Sequence, residues 1–106
     1  MSADGLFLDE IVKRVLSVSS PEKIILFGSA AGGSMHADSD IDLLIVEPDP
    51  VDRRSESVRI DMAMSGLGYP VDVIVVSSEY FARTRDIIGG IAYPADKYGK
   101  VIYDAS

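Results

Sequence analysis

Two patterns of apolar residues run along the 106-residue chain. Near the N-terminus apolar residues recur every three or four positions, which predicts an amphipathic helix with an inward face of Leu8, Ile11, Val12, Val15 and Leu16. Further on, three short runs are almost wholly apolar and rich in β-branched residues. Such runs are typical of buried strands, and they cover residues 24–27, 41–46 and 71–76.

Glycine, serine and proline residues separate these runs and set the remaining elements. A helix is predicted from Arg53 to Leu67 with Val58 and Met62 turned inward and Ser65 or Leu67 as a further inward position. Further helices are predicted from Glu79 to Arg85, behind a Ser77 or Ser78 N-cap, and from Ile87 to Tyr98, followed by a strand from Lys100 to Tyr103. The order indicates an α/β or α+β fold around a small sheet, with residues 1–106 expected to form one domain.

The chain is acidic, with 10 Lys and Arg against 17 Asp and Glu and a net charge of −7. We therefore expect no nucleic-acid binding through a broad basic face, and favour a charged partner or a bound cation. The absence of cysteine excludes disulfide scaffolds, thiolate zinc sites and cysteine nucleophiles, and it fits the cytoplasm. Neither a signal peptide nor a membrane span is expected.

Acidic residues are concentrated in a part of the sequence that has no Lys or Arg. Between Lys23 and Arg53 there is no Lys or Arg, but six acids. Asp40 and Asp42 lie two positions apart at the start of the second strand, so they point to one face. Two carboxylates on one face suit Mg²⁺, which takes one or two carboxylates together with phosphate oxygens and water. The alternative is a solvated start of a strand.

Gly28 and Ser29 follow the first strand directly, and Ala30–Ala31 can begin a helical turn. Glycine lets a phosphate approach the backbone, the start of a helix offers free N–H groups, and the Ser29 hydroxyl is a further donor. The alternative is an ordinary turn.

Asp72 is the one carboxylate inside the third apolar run. If the second and third strands are neighbours, Asp72 lies beside Asp40 and Asp42. The alternative is a helix cap or an ion pair with Arg53 or Arg54. Three carboxylates that face a phosphate cradle indicate phosphoryl or nucleotidyl transfer, with Asp72 orienting or deprotonating an acceptor hydroxyl.

Taken together, these motifs resemble those of the DNA polymerase beta-type nucleotidyltransferase superfamily. They run from Gly28-Ser29 through Asp40-Ile41-Asp42 to Val71-Asp72-Val73. The size is similar to the minimal nucleotidyltransferase (MNT) proteins, and residues 91–93 and 98–103 are similar to the C-terminal helix and strand of that branch. The resemblance implies a polymerase beta-like fold with a small mixed sheet flanked by helices.

The resemblance also implies an activity. Members bind Mg²⁺-ATP and transfer AMP to a hydroxyl, and MNT proteins are often antitoxins that modify a tyrosine of a HEPN-type toxin or simply bind the toxin. By position, Gly28 and Ser29 would hold the triphosphate. Asp40, Asp42 and Asp72 would ligate metal, two Mg²⁺ ions in all. A homodimer or a hetero-complex with the toxin is expected.

The chain departs from the family at one point. Many relatives read Gly-Ser-Arg-Ala-Arg-Gly, whereas this chain reads Gly28-Ser29-Ala30-Ala31-Gly32-Gly33, so both arginines are missing. Fewer bidentate phosphate contacts follow unless Arg53, Arg54 or a partner supplies them. Three hypotheses therefore stay open: an adenylyltransferase acting on a protein, an antitoxin that neutralises by binding only, and a nucleotide sensor.

Other polar and aromatic residues receive ordinary structural interpretations. His36 is expected in a solvated loop, and Glu47 and Asp61 are expected to be exposed. Met62 and Met64 are expected to pack in the core or against a partner. Packing roles are also predicted for four tyrosines: Tyr80, Tyr93, Tyr98 and Tyr103.

Overall fold

A computed structural model of the chain describes residues 3–27, 41–48, 52–68 and 70–105. The described residues form four helices and four strands. In chain order they are α1 (Ala3–Val18), β1 (Lys23–Phe27), β2 (Ile41–Glu47), α2 (Arg53–Ala63), β3 (Val71–Ser77), α3 (Ser78–Thr84), α4 (Ala92–Tyr98) and β4 (Lys100–Asp104). None of the helices in these ranges is both long and apolar enough to cross a membrane.

The strands form one mixed sheet in the order β3-β2-β1-β4. Strand β1 pairs antiparallel with both β2 and β4, whereas β2 and β3 are parallel. Parallel neighbours need a crossover connection, and α2 supplies it between the end of β2 and the start of β3. The predicted mixed sheet flanked by helices is confirmed.

Helices cover both faces of the sheet, so the core has two parts. One part lies under α1 and α2 and contains Ile11, Val15, Ile24, Leu26, Ile41, Leu43, Ile45, Ile60, Met64 and Val75. The other lies under α3 and α4 and contains Ile25, Leu44, Val46, Val76, Phe81, Ala92 and Ala95. Successive residues of β2 alternate between the two parts, which explains why this strand is apolar almost throughout.

Helix α2 ends at Ala63, four residues before the predicted end at Leu67. The guanidinium of Arg14, on α1, donates hydrogen bonds to the carbonyls of Ala63 (3.1 Å) and Ser65 (2.7 Å). It therefore satisfies carbonyl groups that another helical turn would have bonded. The positive φ of Gly66 (84°) then turns the chain toward β3.

The predicted inward face of α2 is wrong at Val58 and Met62, which are 51% and 70% exposed. The buried residues are Ile60 and Met64, and a shift of two positions moves a side chain to the other side of a helix. Of the two further candidates, Leu67 packs against the core and Ser65 is exposed. Packing in the core is thus confirmed for Met64 and wrong for Met62, and packing of Met62 against a partner stays a prediction.

The predicted helix from Ile87 to Tyr98 is confirmed only in its second half, as α4. Gly89 has a φ of 114°, which a helix does not allow, and residues 85–91 form turns and bends instead. Pro94 lies in the first turn of α4, where its missing N–H breaks no helical hydrogen bond.

Candidate functional site

Asp42 and Asp72 lie side by side on neighbouring strands. The parallel register of β2 and β3 pairs Asp42 directly with Asp72. Paired residues point to the same face, and neighbouring strands are about 4.8 Å apart. Asp42 is half-buried and Asp72 is exposed. The sequence-based expectation that Asp72 adjoins the carboxylates of the second strand is therefore confirmed for Asp42.

The pair lies at the starting ends of β2 and β3, on the face that α3 and α4 cover further along. Leu44 and Val46 follow Asp42 on that face, and they are buried in the α3–α4 part of the core. Phe27 pairs with Asp42 from the other neighbouring strand and is partly buried in the same part. Apolar side chains therefore lie behind the two carboxylates, and Asp72 is exposed to solvent. Phe27 was not predicted as a site residue, although its position directly before Gly28 could have indicated that it lies beside the site.

The proposed alternatives for Asp72 are not observed. Asp72 caps no described helix, since α2 is capped by Asp52 and α3 by Ser77. It forms no ion pair within 4 Å among the described residues. Arg53 and Arg54 are exposed, as expected for solvated arginines, and line a groove with Val73, Ile74 and Val75.

Three predicted site residues, Gly28, Ser29 and Asp40, lie outside the described residues, as do His36 and the Ala30–Ala31 turn. Their roles stay predictions. The chain leaves the described sheet at Phe27 and re-enters it at Ile41, and Phe27 pairs with Asp42 at that corner. The backbone N–H of Ile41 also donates to the carbonyl of Pro70, just before β3 (2.9 Å). The end of β1 and the starts of β2 and β3 therefore meet here.

The side chains at this corner fit a divalent metal of the hard, oxygen-preferring kind. Two adjacent carboxylates are the protein contribution that Mg²⁺ commonly receives, with phosphate oxygens and water completing its coordination. Within the described ranges, no group of three or more His, Cys, Asp or Glu residues is arranged to hold a metal ion. Asp42 and Asp72 would thus provide two ligands, and Asp40, which lies outside the described residues, is the predicted third.

Glu47, at the far end of β2, is not exposed as predicted. Only 6% of it is accessible, and its carboxylate accepts a hydrogen bond from the Ser19 hydroxyl at 2.7 Å. Burial raises the pKa of Glu47 above its usual 4.5, and the neighbouring carboxyl group of Glu56 raises it further. Glu56 is in turn bound by Arg59 at 3.1 Å. Asp61 is exposed, as expected.

The tyrosines divide into two groups. Tyr80, Tyr93 and Tyr103 are partly buried, in agreement with packing roles. Tyr98 is 74% exposed, which contradicts the packing role predicted for it. It is the last residue of α4, where the helix surface turns to solvent.

Comparisons with known proteins indicate a nucleotidyltransferase domain. The family model described as "Nucleotidyltransferase domain" matches residues 8–92, which include Asp40, Asp42 and Asp72. No curated protein matches the chain.

Several solved structures are similar to the chain. One is a toxin–antitoxin complex with AMP-PNP, with 22% identity and a TM-score of 0.60, over 93% of this chain and 74% of the other. Another is assigned as a nucleotidyltransferase from Sulfolobus solfataricus, with 23% identity and a TM-score of 0.63, over 95% and 80%. A third is tri-AMPylated Shewanella oneidensis HEPN toxin in complex with MNT antitoxin, with 20% identity and a TM-score of 0.59, over 93% and 71%. At these identities the likeness shows a shared fold.

Proposed function

Because the chain belongs to the nucleotidyltransferase domain family, we propose that it transfers AMP from ATP to a hydroxyl group of a partner protein. The partner would be a HEPN-type toxin, the acceptor a tyrosine, and the chain its antitoxin. The observation that carries the proposal is the side-by-side placement of Asp42 and Asp72 in the parallel pair of β2 and β3.

Five residues have roles in the proposed site. Asp40, Asp42 and Asp72 would hold magnesium, which supplies charge neutralisation at the phosphates and lowers the pKa of the acceptor hydroxyl. Gly28 and Ser29 would hold the triphosphate through backbone N–H groups and the hydroxyl. Because Asp72 is the exposed member of the carboxylate pair, an acceptor can approach it from solvent.

The proposed reaction is an in-line transfer. The acceptor oxygen attacks the α-phosphorus of ATP, and a new oxygen–phosphorus bond forms. The bond from the α-phosphorus to the oxygen that bridges to the β-phosphorus breaks, and pyrophosphate leaves with that electron pair. The hydroxyl proton passes to the carboxylate of Asp72, which acts as the general base.

Support for a toxin partner comes from the structural neighbours, two of which are toxin–antitoxin complexes. One of these contains AMP-PNP, and the other contains an AMPylated toxin. The acidic charge of this chain also favours a protein acceptor over a nucleic acid.

A second candidate function is neutralisation of the toxin by binding alone. Ala30 and Gly32 stand where many relatives carry arginines. Arg53 and Arg54 line a groove whose described lining includes Val73, Ile74 and Val75 but neither Asp42 nor Asp72, and their contact with phosphate stays a prediction. A site with fewer phosphate contacts binds ATP more weakly, which favours this candidate.

The deciding experiment is the intact mass of the partner after incubation with this chain and Mg²⁺-ATP. The partner is the protein that copurifies with the chain or is encoded beside it. We expect mass increases of whole AMP units that disappear with Asp72→Asn. Asp61→Asn is the matched control, because it removes one exposed aspartate from α2, outside the site. A stable complex and rescued growth without any mass increase would establish binding alone.

A further inference from the structure

The two edges of the sheet differ in how they are protected. Strand β4 has five residues, begins with Lys100, ends with Asp104, and pairs with β1 through an irregular register at Ile24 and Ile25. Strand β3 has seven residues, five of which are Val or Ile, and its register with β2 is unbroken. Short length, charged side chains and bulges prevent an edge from pairing with another chain. Strand β3 has one charged side chain, Asp72 near its start, and the four residues that follow it are apolar.

A groove runs along the outer side of β3. It has a volume of about 530 Å³ and lies between Val73, Ile74 and Val75 and the first turns of α2, where Arg53 and Arg54 are exposed. Neither arginine forms an ion pair within 4 Å among the described residues. Asp52 lines the same groove, and its carboxylate accepts from the backbone N–H groups of Arg54 and Ser55. With one carboxylate against two guanidinium groups, the described lining of the groove still has a net charge of +1 in a chain of net charge −7.

We propose that the acceptor segment of the partner binds as an extended strand along the outer edge of β3, with an acidic side chain against Arg53 and Arg54 and its acceptor hydroxyl beside Asp72. This docking mode rests on the proposed function for the identity of the hydroxyl as an acceptor. An edge strand supplies main-chain hydrogen bonds, and the alternating side chains of the added strand supply specificity.

The geometry fixes the spacing between hydroxyl and acid. Along an added strand, side chains alternate between the two faces of the sheet. The hydroxyl must share the face of Asp72 and Ile74. The acid must point to the other face, where Val73 and Val75 lie and α2 packs. Val73 and Val75 are one and three positions from Asp72, so the acid lies one or three positions from the hydroxyl.

A second copy of this chain is a poorer occupant of the edge. Two chains of net charge −7 repel each other, whereas an acidic side chain on a short segment meets the arginines directly. Pairing between copies is therefore an outcome that the test must detect.

The test uses the full chain and capped heptapeptides of valine and glutamine that contain one tyrosine and one glutamate. In one set the glutamate is one or three positions from the tyrosine, and in the other it is two or four positions away. Dissociation constants and NMR shifts of the β3 amide groups are measured without ATP. We expect shifts along β3 and about 2- to 5-fold tighter binding of the first set, as for an exposed ion pair.

Charge reversal provides the matched pair of variants. Arg53→Glu with Arg54→Glu should abolish the preference for the first set. Acidic residues favour the start of a helix, so this variant should fold. Lys13→Glu with Arg83→Glu makes the same change in net charge at exposed positions on α1 and α3, and it should keep the preference.

Four results would overturn the docking mode: no peptide binding at β3, equal binding of both sets, the same preference after reversal of Arg53 and Arg54, or concentration-dependent protection of β3 amides without peptide. The last result would assign the edge to a second copy. Failure of transfer is a separate result. Peptides that bind β3 as expected in a chain that adds no AMP would contradict the proposed function alone.

Discussion

Strand β2 carries an acidic residue near each end, Asp42 at its start and Glu47 as its last residue. Glu47 is buried, receives a hydrogen bond from Ser19, and has a raised pKa beside Glu56. Asp42 is half-buried and pairs with Asp72, which is open to solvent. At each end of β2 two carboxyl groups are therefore neighbours, but only at the end with Asp42 and Asp72 is a carboxylate accessible to a ligand.

The comparison teaches how to separate a structural acid from a functional one. Near Glu47 the fold itself supplies the compensation, through a hydroxyl, a raised pKa and Arg59 bound to Glu56. At the other end, the residues that follow Asp42 and Asp72 on their face are apolar, and Asp72 forms no ion pair within 4 Å among the described residues, so its exposed carboxylate is available to a cation. Substitutions at the two ends should therefore have different effects on transfer and on stability.

Asp72→Asn should reduce the rate of AMP transfer by about 10²- to 10⁴-fold, because an amide accepts no proton and is a poorer metal ligand. The free energy of unfolding should hardly change, since Asp72 is exposed. Single-turnover transfer and urea unfolding measure the two effects. Glu47→Gln, in the same assays, should leave transfer by the folded protein unchanged. Equal losses of the transfer rate in both variants would mean that the two ends of β2 do not differ in function.

Glu47→Ala should lower the free energy of unfolding by about 1–3 kcal/mol, because it leaves the buried end of β2 without the partner of Ser19. Glu47→Gln should cost less than Glu47→Ala, since its side-chain amide still accepts from Ser19 and can donate to Glu56. Denaturant unfolding at neutral pH compares the two. A loss of the same size in both variants would mean that Glu47 contributes through its charge.

The pH dependence of stability should also report on Glu47. Its pKa is higher in the folded protein than in the unfolded chain, where it is near 4.5, so the folded state binds more protons. Its contribution is complete below that value and is lost as the pH rises through the folded pKa. The stability of the wild type relative to Glu47→Gln should therefore fall with rising pH. Urea unfolding of both proteins from about pH 4 to 8 tests this, and a difference in stability that stayed constant with pH would contradict it.

Asp52→Ala should give the smallest change, a modest decrease in the urea midpoint. Asp52 caps α2 by accepting from the backbone N–H groups of Arg54 and Ser55, and the hydrogen bond from Ser55 holds its pKa below the usual 3.8. The stability that this carboxylate contributes is therefore present above pH 3.8 and is lost as the pH falls through the folded pKa. Asp61→Ala, on the same helix, is the control and should have no such acid-dependent loss.

Much of the fold was predictable because its signals are local. The three apolar runs match β1, β2 and β3 to within one residue, since Gly, Pro and Ser interrupt the apolar pattern at their ends. The Ser77 cap of α3 is confirmed by its hydrogen bond from the Tyr80 N–H. The end of α2 was mispredicted because Arg14, distant in sequence, binds the carbonyls there.

The sequence by itself predicted that Asp40 and Asp42 share one face of a strand, because side-chain direction in a strand has a period of two. This stays a prediction, since Asp40 lies outside the described residues. The sequence also placed Asp72 in an apolar run and supplied the family resemblance. Only the tertiary structure decided that Asp72 lies opposite Asp42. The register of a parallel pair depends on the crossover through α2 and on packing against both faces of the sheet. A slip of one residue would turn Asp72 toward α1 and α2 and separate the two carboxylates.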